Sequence, residues 1–329
     1  YGAYFSSNAA TLPAAAATGN LTLRPHSIVH SLEYDDATGN VTGVNVIDEL
    51  TGEMLTFHSK IVFLNASTVG TAMILLNSTS ARFPNGLGND SDQVGRNVMD
   101  HHFLAGADAV VEGFEDKYDW GRRPQSYCIP RFRNVGNDKR DYVRGFGYQG
   151  GSGRQGWGRA IAELAMGQDL KDFAAKPGPW TIGMLGFGEI LPYEDNRVTI
   201  NRDKLDKWGL PTAVFDVTIR DNEYKMRMDM ANDAAEMLEA MGAKNVTPYD
   251  RPYGPGLGIH EMGTARMGRD PKTSVLNKWN QIHEVPNVFI TDGACMTSSG
   301  CQNPSLTYMA LSARAANYAA DQLEKGELS

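Results

Sequence analysis

The sequence is poor in the features that usually place a chain at once. Three cysteines in 329 residues, Cys128, Cys295 and Cys301, are too few and too scattered for a disulfide framework or a zinc site. Cys295 and Cys301 are close enough in sequence to pair, although two separate thiols in one loop is the simpler reading. No apolar run approaches the roughly 18 residues that a membrane span requires. Positive charge is also in deficit: 39 acidic residues against 31 Lys and Arg leave a net charge of −8, with a pI near 5.4. That balance argues against nucleic acid as a main partner. A phosphate-cradling glycine turn is missing as well. The one G-x-G-x-x-G, Gly151 to Gly156, follows RGFGYQG and not a buried strand. It is expected to be a flexible loop.

What is present describes a globular chain with ample core, since 41% of its residues are hydrophobic and 21% charged. The most informative stretch runs from Asn287 to Leu323. Val288-Phe289-Ile290 reads as a buried parallel strand. Asp292-Gly293 ends it at the carboxyl edge, where open α/β sheets bind their ligands. A helix is then predicted, with Asn303 as N-cap and Pro304 as first helical residue. Leu306, Met309, Ala310, Ala313 and Ala320 share one face at helical spacing, the face expected to be buried. A strand end and a helix N-terminus would thus meet at a point that favours negative charge. Just upstream, GIHEMGTARMG (258–268) places His260 among glycines, which let backbone approach a bound group closely.

Together, H-x-x-G-T-x-R-M-G, T-D-G and N-P-S-L-T at these intervals resemble the C-terminal part of a GMC (glucose–methanol–choline) flavin oxidoreductase. The 85–102 stretch, with V-G-R-N-x-x-D-H, resembles a loop that this family keeps near its flavin. The resemblance implies an α/β FAD-binding domain carrying an antiparallel-sheet, α+β substrate domain. The expected division is 1–102 for the second part of the FAD domain, 103–250 for the substrate domain and 251–329 for the return to the FAD domain. It implies FAD as cofactor and His260 with Asn303 as the catalytic pair. Asp292 and Gly293 would meet the ribityl and phosphate groups, and Pro304 and Ser305 would open the helix facing the flavin. Val29 would flank the adenine and Ala66 would sit where the chain passes the cofactor. An Asn in the second catalytic position suits sugar-oxidising members, so the implied substrate is a small-molecule alcohol or sugar. Oxygen, a quinone or a cytochrome would take the electrons. The counterpart of YGAYFSSN lies well inside family members, so the sequence resembles a C-terminal portion without the dinucleotide fingerprint.

Elsewhere the pattern predicts a helix opening at Thr11 and strands at 20–23, 27–34, 41–47, 54–58 and 60–64, the last buried on both faces. A helix is predicted at 71–77 and strands around 189–199 and 213–219. Another helix should run from Asp221, its N-cap, to Met241, burying Tyr224, Met228, Ala231, Ala235 and Leu238. Stretches 118–124 and 145–158 read as irregular loops. Aromatics near them (Trp120, Tyr127, Phe146, Tyr148, Trp157) could stack on a sugar or plug a core. His101 and His102 tempt a metal or acid–base reading, but neighbours on a strand point to opposite faces, and no third ligand lies at metal spacing. No metal is expected. A rival reading keeps the fold without the flavin, as a carbohydrate- or partner-binding module.

Overall fold

The computed structural model describes residues 5–118, 127–156, 158, 159, 166–251 and 253–328. Trp120 and Trp157 and most of the 118–124 stretch therefore lie outside the described residues. In chain order, α1 (Thr11–Ala17) precedes an antiparallel meander of β1 (Ser27–Asp35), β2 (Asn40–Asp48) and β3 (Met54–His58). Then come β4 (Val62–Phe63), α2 (Thr68–Asn77) and a short β5 (His101–His102). The middle of the chain supplies β6 (Ala105–Val111), β7 (Tyr127–Ile129), β8 (Phe146–Arg154), α3 (Gly167–Ala175) and β9 (Trp180–Glu189). A hairpin, β10 (Arg197–Leu205) with β11 (Pro211–Asp216), leads to α4 (Asp221–Ala240) and β12 (Lys244–Asp250). The C-terminal part is β13 (Gln281–Ile282), β14 (Val285–Phe289) and α5 (Ser305–Glu324). The expected strand at 20–23 does not form, because its residues are exposed and unpaired with any strand.

The chain divides into two units. The larger comprises Leu21–His101, Ile190–Thr218 and Gly254–Ser329, so the β10–β11 hairpin belongs to it. Its centre is the parallel pair β4–β14, with Val62 beside Val288 and Phe63 beside Phe289. Val288, Phe289 and Ile290 are all fully buried, as a parallel strand covered on both faces requires. Phe63 is 37% exposed, so β4 is covered on one face only. Leu75 and Leu76 of α2 pack on this centre with Leu87, Val94, Val275 and Leu276. Helix α5 turns Ala315 and Ala319 inward and leaves the predicted face outward, Leu306 being 77% exposed. An Ala-rich helix carries two apolar stripes, and here the sheet takes the other one.

The smaller unit comprises Tyr1–Asn20, His102–Glu189 and Ile219–Tyr253. Its antiparallel sheet runs β12-β6-β9-β8-β7, with α4 packed against β6, β9 and β12. The stretch at 146–154 is strand β8, not a loop, and Gly151 and Gly153 pair with Gly183 and Thr181. A glycine-rich strand is used because neighbours come close: a Cβ on Gly150 would fall 2.3 Å from the Gly183 carbonyl oxygen. Extended backbone cannot curl around a phosphate, so the G-x-G-x-x-G is no cradle. Phe146 and Tyr148 are core residues, with the Tyr148 hydroxyl donating to the Met230 carbonyl at 2.7 Å.

Helix α4 is capped one residue earlier than expected, at Arg220, whose N–H donates to the Glu223 carboxylate at 2.8 Å. Its buried face carries Met226, Arg227, Met230, Ala234 and Leu238, while Tyr224 and Met228 are exposed. Arg227 is buried because it is paired: Nε donates to Asp250 at 2.8 Å and Nη1 to the Phe103 carbonyl at 2.7 Å. Removing the guanidinium leaves the Phe103 carbonyl without its donor, while Asp250, whose side chain is 38% exposed, stays solvated. Arg227→Met is therefore expected to lower unfolding free energy by about 1–3 kcal/mol in urea denaturation. An unchanged midpoint would remove this pair from the unit's stabilising contacts.

Candidate active site

The site is built where β14 ends. After Ile290 and Thr291 the chain turns at Asp292-Gly293 into a short 3-10 turn, Gly293–Cys295. Asp292 holds that turn with Oδ1, which accepts from the Ala294 N–H at 2.9 Å, and accepts from Thr71 Oγ1 through Oδ2 at 2.6 Å. Burial raises its carboxyl above the ordinary range. Gly293 cannot be anything larger. A Cβ there would lie 2.4 Å from both the Glu261 carbonyl oxygen and Thr68 Oγ1, and 3.1 Å from the Tyr308 hydroxyl.

The 258–268 loop is sewn to this turn. Gly263 N–H donates to the Gly293 carbonyl at 3.1 Å, Ala265 N–H to the Ala294 carbonyl at 3.0 Å, and Thr68 Oγ1 to the Glu261 carbonyl at 2.5 Å. Asp100 clamps the other end. Its Oδ2 accepts from the Gly258 N–H at 2.7 Å, and its Oδ1 from the N–H groups of His101 at 2.7 Å and His260 at 3.2 Å. These three donors favour the ionised carboxylate, but burial outweighs them and pushes Asp100 up to about 6.

His260 therefore stands on a fixed loop. The residue before it, Ile259, has φ +59°, a left-handed conformation that is costly for a β-branched residue. Such strain concentrates at working sites. The His260 ring packs edge-to-face on His101, with centroids 4.8 Å apart at 86°. Its Nδ1 is buried with no hydrogen-bond partner among the described residues, and burial lowers its pKa, so the ring is neutral at physiological pH. His102 faces elsewhere: its ring fills the space beside Gly188. The two histidines do point apart, and it is His101 that touches His260.

A cavity of about 380 Å3 opens between these parts, and its wall contains His260, Asp292, Gly293, Pro304, Ser305 and Tyr308. The N-terminus of α5 is therefore one of its sides. Pro304, with φ −88° and ψ −5°, occupies the cap position that sequence gives to Asn303, and the helix proper starts at Ser305. Asn303 is exposed and immediately precedes this wall. Ala66 lies between Asn65 and Ser67, which both line the cavity, and its N–H donates to Thr71 Oγ1 at 3.1 Å. Val29 lines a separate, narrow hollow with Ile74, Ile200 and Leu210. Cys295 and Cys301 are both buried and are not bonded to each other.

Two residues of the site have no role assigned from sequence. Asp100 is the acid of the V-G-R-N-x-x-D-H stretch but gains its meaning from partners about 160 positions away. Tyr308 falls on the α5 face opposite the stripe that periodicity selects.

A buried strand ending in a glycine turn against a helix N-terminus, beside a neutral histidine, places this cavity where α/β folds bind their ligands. Residues 192–312 match the family described as GMC oxidoreductase. The chain is 33% identical over 311 residues to the 2-methyl-1,2-propanediol dehydrogenase of Mycolicibacterium austroafricanum, a match covering 93% of this chain and 55% of that enzyme. It is 29% identical to the fructose dehydrogenase large subunit of Gluconobacter japonicus, covering 92% and 54%. Among solved structures, formate oxidase from Aspergillus oryzae superposes with a TM-score of 0.66 at 15% identity, covering 94% of this chain and 62% of that one. The chain belongs to the GMC oxidoreductase family and spans about half the length of the curated relatives it matches. Members are FAD-dependent flavoproteins. The residues present fit that group: a cavity opens at the N-terminus of α5, and two buried polar atoms in its lining residues, His260 Nδ1 and the Tyr308 hydroxyl, have no hydrogen-bond partner among the described residues.

Proposed function

We propose that the complete enzyme carrying these residues oxidises an alcohol or sugar hydroxyl, with FAD held against the 292–308 wall. The single observation that carries this reading is the neutral His260, fixed by Asp100 and exposed to the same cavity as the α5 N-terminus. FAD, when bound, supplies the acceptor for the hydride that leaves the substrate carbon. His260 takes the hydroxyl proton, which its neutral ring can do without first losing one of its own. Asn303 orients the same hydroxyl from the start of the helix. The free N–H groups of Ser305, Leu306 and Thr307 and the helix dipole stabilise negative charge that develops in the site. Asp292, Gly293, Pro304 and Ser305 hold the cofactor, with Ala66 beside them and Val29 at its adenine end. The relatives' names, a propanediol dehydrogenase, a fructose dehydrogenase and a paromamine 6'-oxidase, support a polyhydroxylated substrate. Oxygen, a quinone or a cytochrome takes the electrons.

The test is anaerobic mixing of the purified complete enzyme with a panel of polyols and sugars. Bleaching of the visible flavin band is the expected result. A colourless protein that takes up no added FAD would overturn the proposal in favour of a binding module. The same assay gives a pH profile. Protonating His260 removes the base, and protonating Asp100 turns one of the two oxygens that hold its loop into a donor. With His260 lowered by burial and Asp100 at about 6, reduction should rise with pH, reach half its maximum at about 6 or slightly above, and level off beyond it. An acid limb at or above the ordinary histidine value of 6.5 would contradict this.

A further inference from the structure

Tyr308 is the fourth residue of α5, and a helical side chain at that place leans back toward the N-terminus. Its hydroxyl accordingly reaches the turn at Gly293, where it lies 3.1 Å from the point a Cβ would occupy. The oxygen is buried and has no hydrogen-bond partner among the described residues, although Tyr308 lines the cavity shared with His260 and Asp292. A phenol buried without a partner costs about 1–3 kcal/mol, a cost that phenylalanine would avoid with the same ring. Nothing in the fold uses the hydroxyl. Thr68 Oγ1, the other side chain that close to residue 293, already donates to the Glu261 carbonyl, and both Asp292 oxygens accept from other groups. Burial also raises the phenol pKa well above its ordinary value, so the group stays a neutral donor throughout the physiological range.

We propose that Tyr308 is a further cofactor-binding residue, its hydroxyl donating a hydrogen bond to an oxygen of FAD. This rests on the functional reading above, because it supposes that FAD occupies the cavity. The helix N-terminus supplies backbone donors from one side, and Tyr308 adds a side-chain donor one turn deeper, beside Gly293.

The experiment compares the complete enzyme with its Tyr308→Phe variant after FAD is removed and titrated back. The Kd for FAD is expected to rise by about three- to tenfold, the range of one net neutral hydrogen bond. The Tm of the FAD-free variant should equal or exceed that of the wild type, and the rise in Tm on adding FAD should shrink. Equal Kd values for the two proteins would overturn the proposal. So would a Tm lowered by the same amount with and without FAD, which would make the hydroxyl structural. An unchanged Kd with a raised KM for the alcohol would assign the donor to substrate and also overturn it. Failure of the wild type to take up FAD would sink the functional reading and this inference together, whereas the other outcomes sink this inference alone.

Discussion

Replacing His260 by alanine in the complete enzyme is expected to slow flavin reduction about a hundred- to ten-thousand-fold while FAD remains bound. The expectation rests on placement. The ring is not a core filler satisfied by its neighbours, since Nδ1 has no hydrogen-bond partner among the described residues and the chain immediately before it is strained at Ile259. It is not an ion-pair member either, since burial keeps it neutral. What remains is a neutral ring held in a cavity, as the proposed base would be, by backbone contacts that alanine does not disturb, because the N–H of residue 260 and the Asp100 carboxylate are both retained. Binding and chemistry should therefore separate. Anaerobic stopped-flow would show slow reduction with an unchanged flavin content. Reduction at the wild-type rate would rule out His260 as the base, and loss of FAD would recast it as a structural contact.

Much of this site is legible in sequence because it depends on local grammar. Val288 to Ile290, the turn at Asp292-Gly293 and the start of a helix near Pro304 are each set by neighbours within a few residues. What sequence misplaces depends on partners far away. Leu306 and Met309 form an apolar stripe, yet Ala315 and Ala319 are the residues that face the sheet, since small side chains let the helix lie close. Periodicity detects that a stripe exists and cannot say which of two is covered. Buried Arg227 and Glu223 invert the hydropathy of α4 because each has its own partners, Asp250 for one and the Arg220 N–H for the other. The glycines of β8 look like loop and are strand, because the space they leave is occupied by Tyr127 and the Gly183 carbonyl. Asp100 is the most consequential case. The V-G-R-N-x-x-D-H stretch picks it out, but its role emerges only when the loop of His260 folds over it.

The second large effect follows from that acid. Asp100→Asn keeps an oxygen where Oδ1 stands, so the N–H groups of His101 and His260 retain their acceptor. The amide NH2 then faces the Gly258 N–H, donor against donor, where Oδ2 had accepted at 2.7 Å. The 258–260 segment must shift to relieve this, and displacement of a base by even about 1 Å costs roughly a hundredfold in rate. Flavin reduction in the variant should fall by about that factor. Stability should move the other way with pH. Because burial raises Asp100 from 3.8 to about 6, the native state holds this proton more tightly than the unfolded chain does. The stabilisation is complete below the lower value and is lost as pH rises through the upper one, a change of about 3 kcal/mol. The asparagine variant has no such proton to lose. Its Tm relative to wild type should accordingly climb between about pH 4 and 7 even as its turnover stays low. A pH-independent Tm difference would show that Asp100 ionises as an ordinary surface carboxyl. Wild-type reduction rates in the variant would show that the three backbone contacts do not position His260.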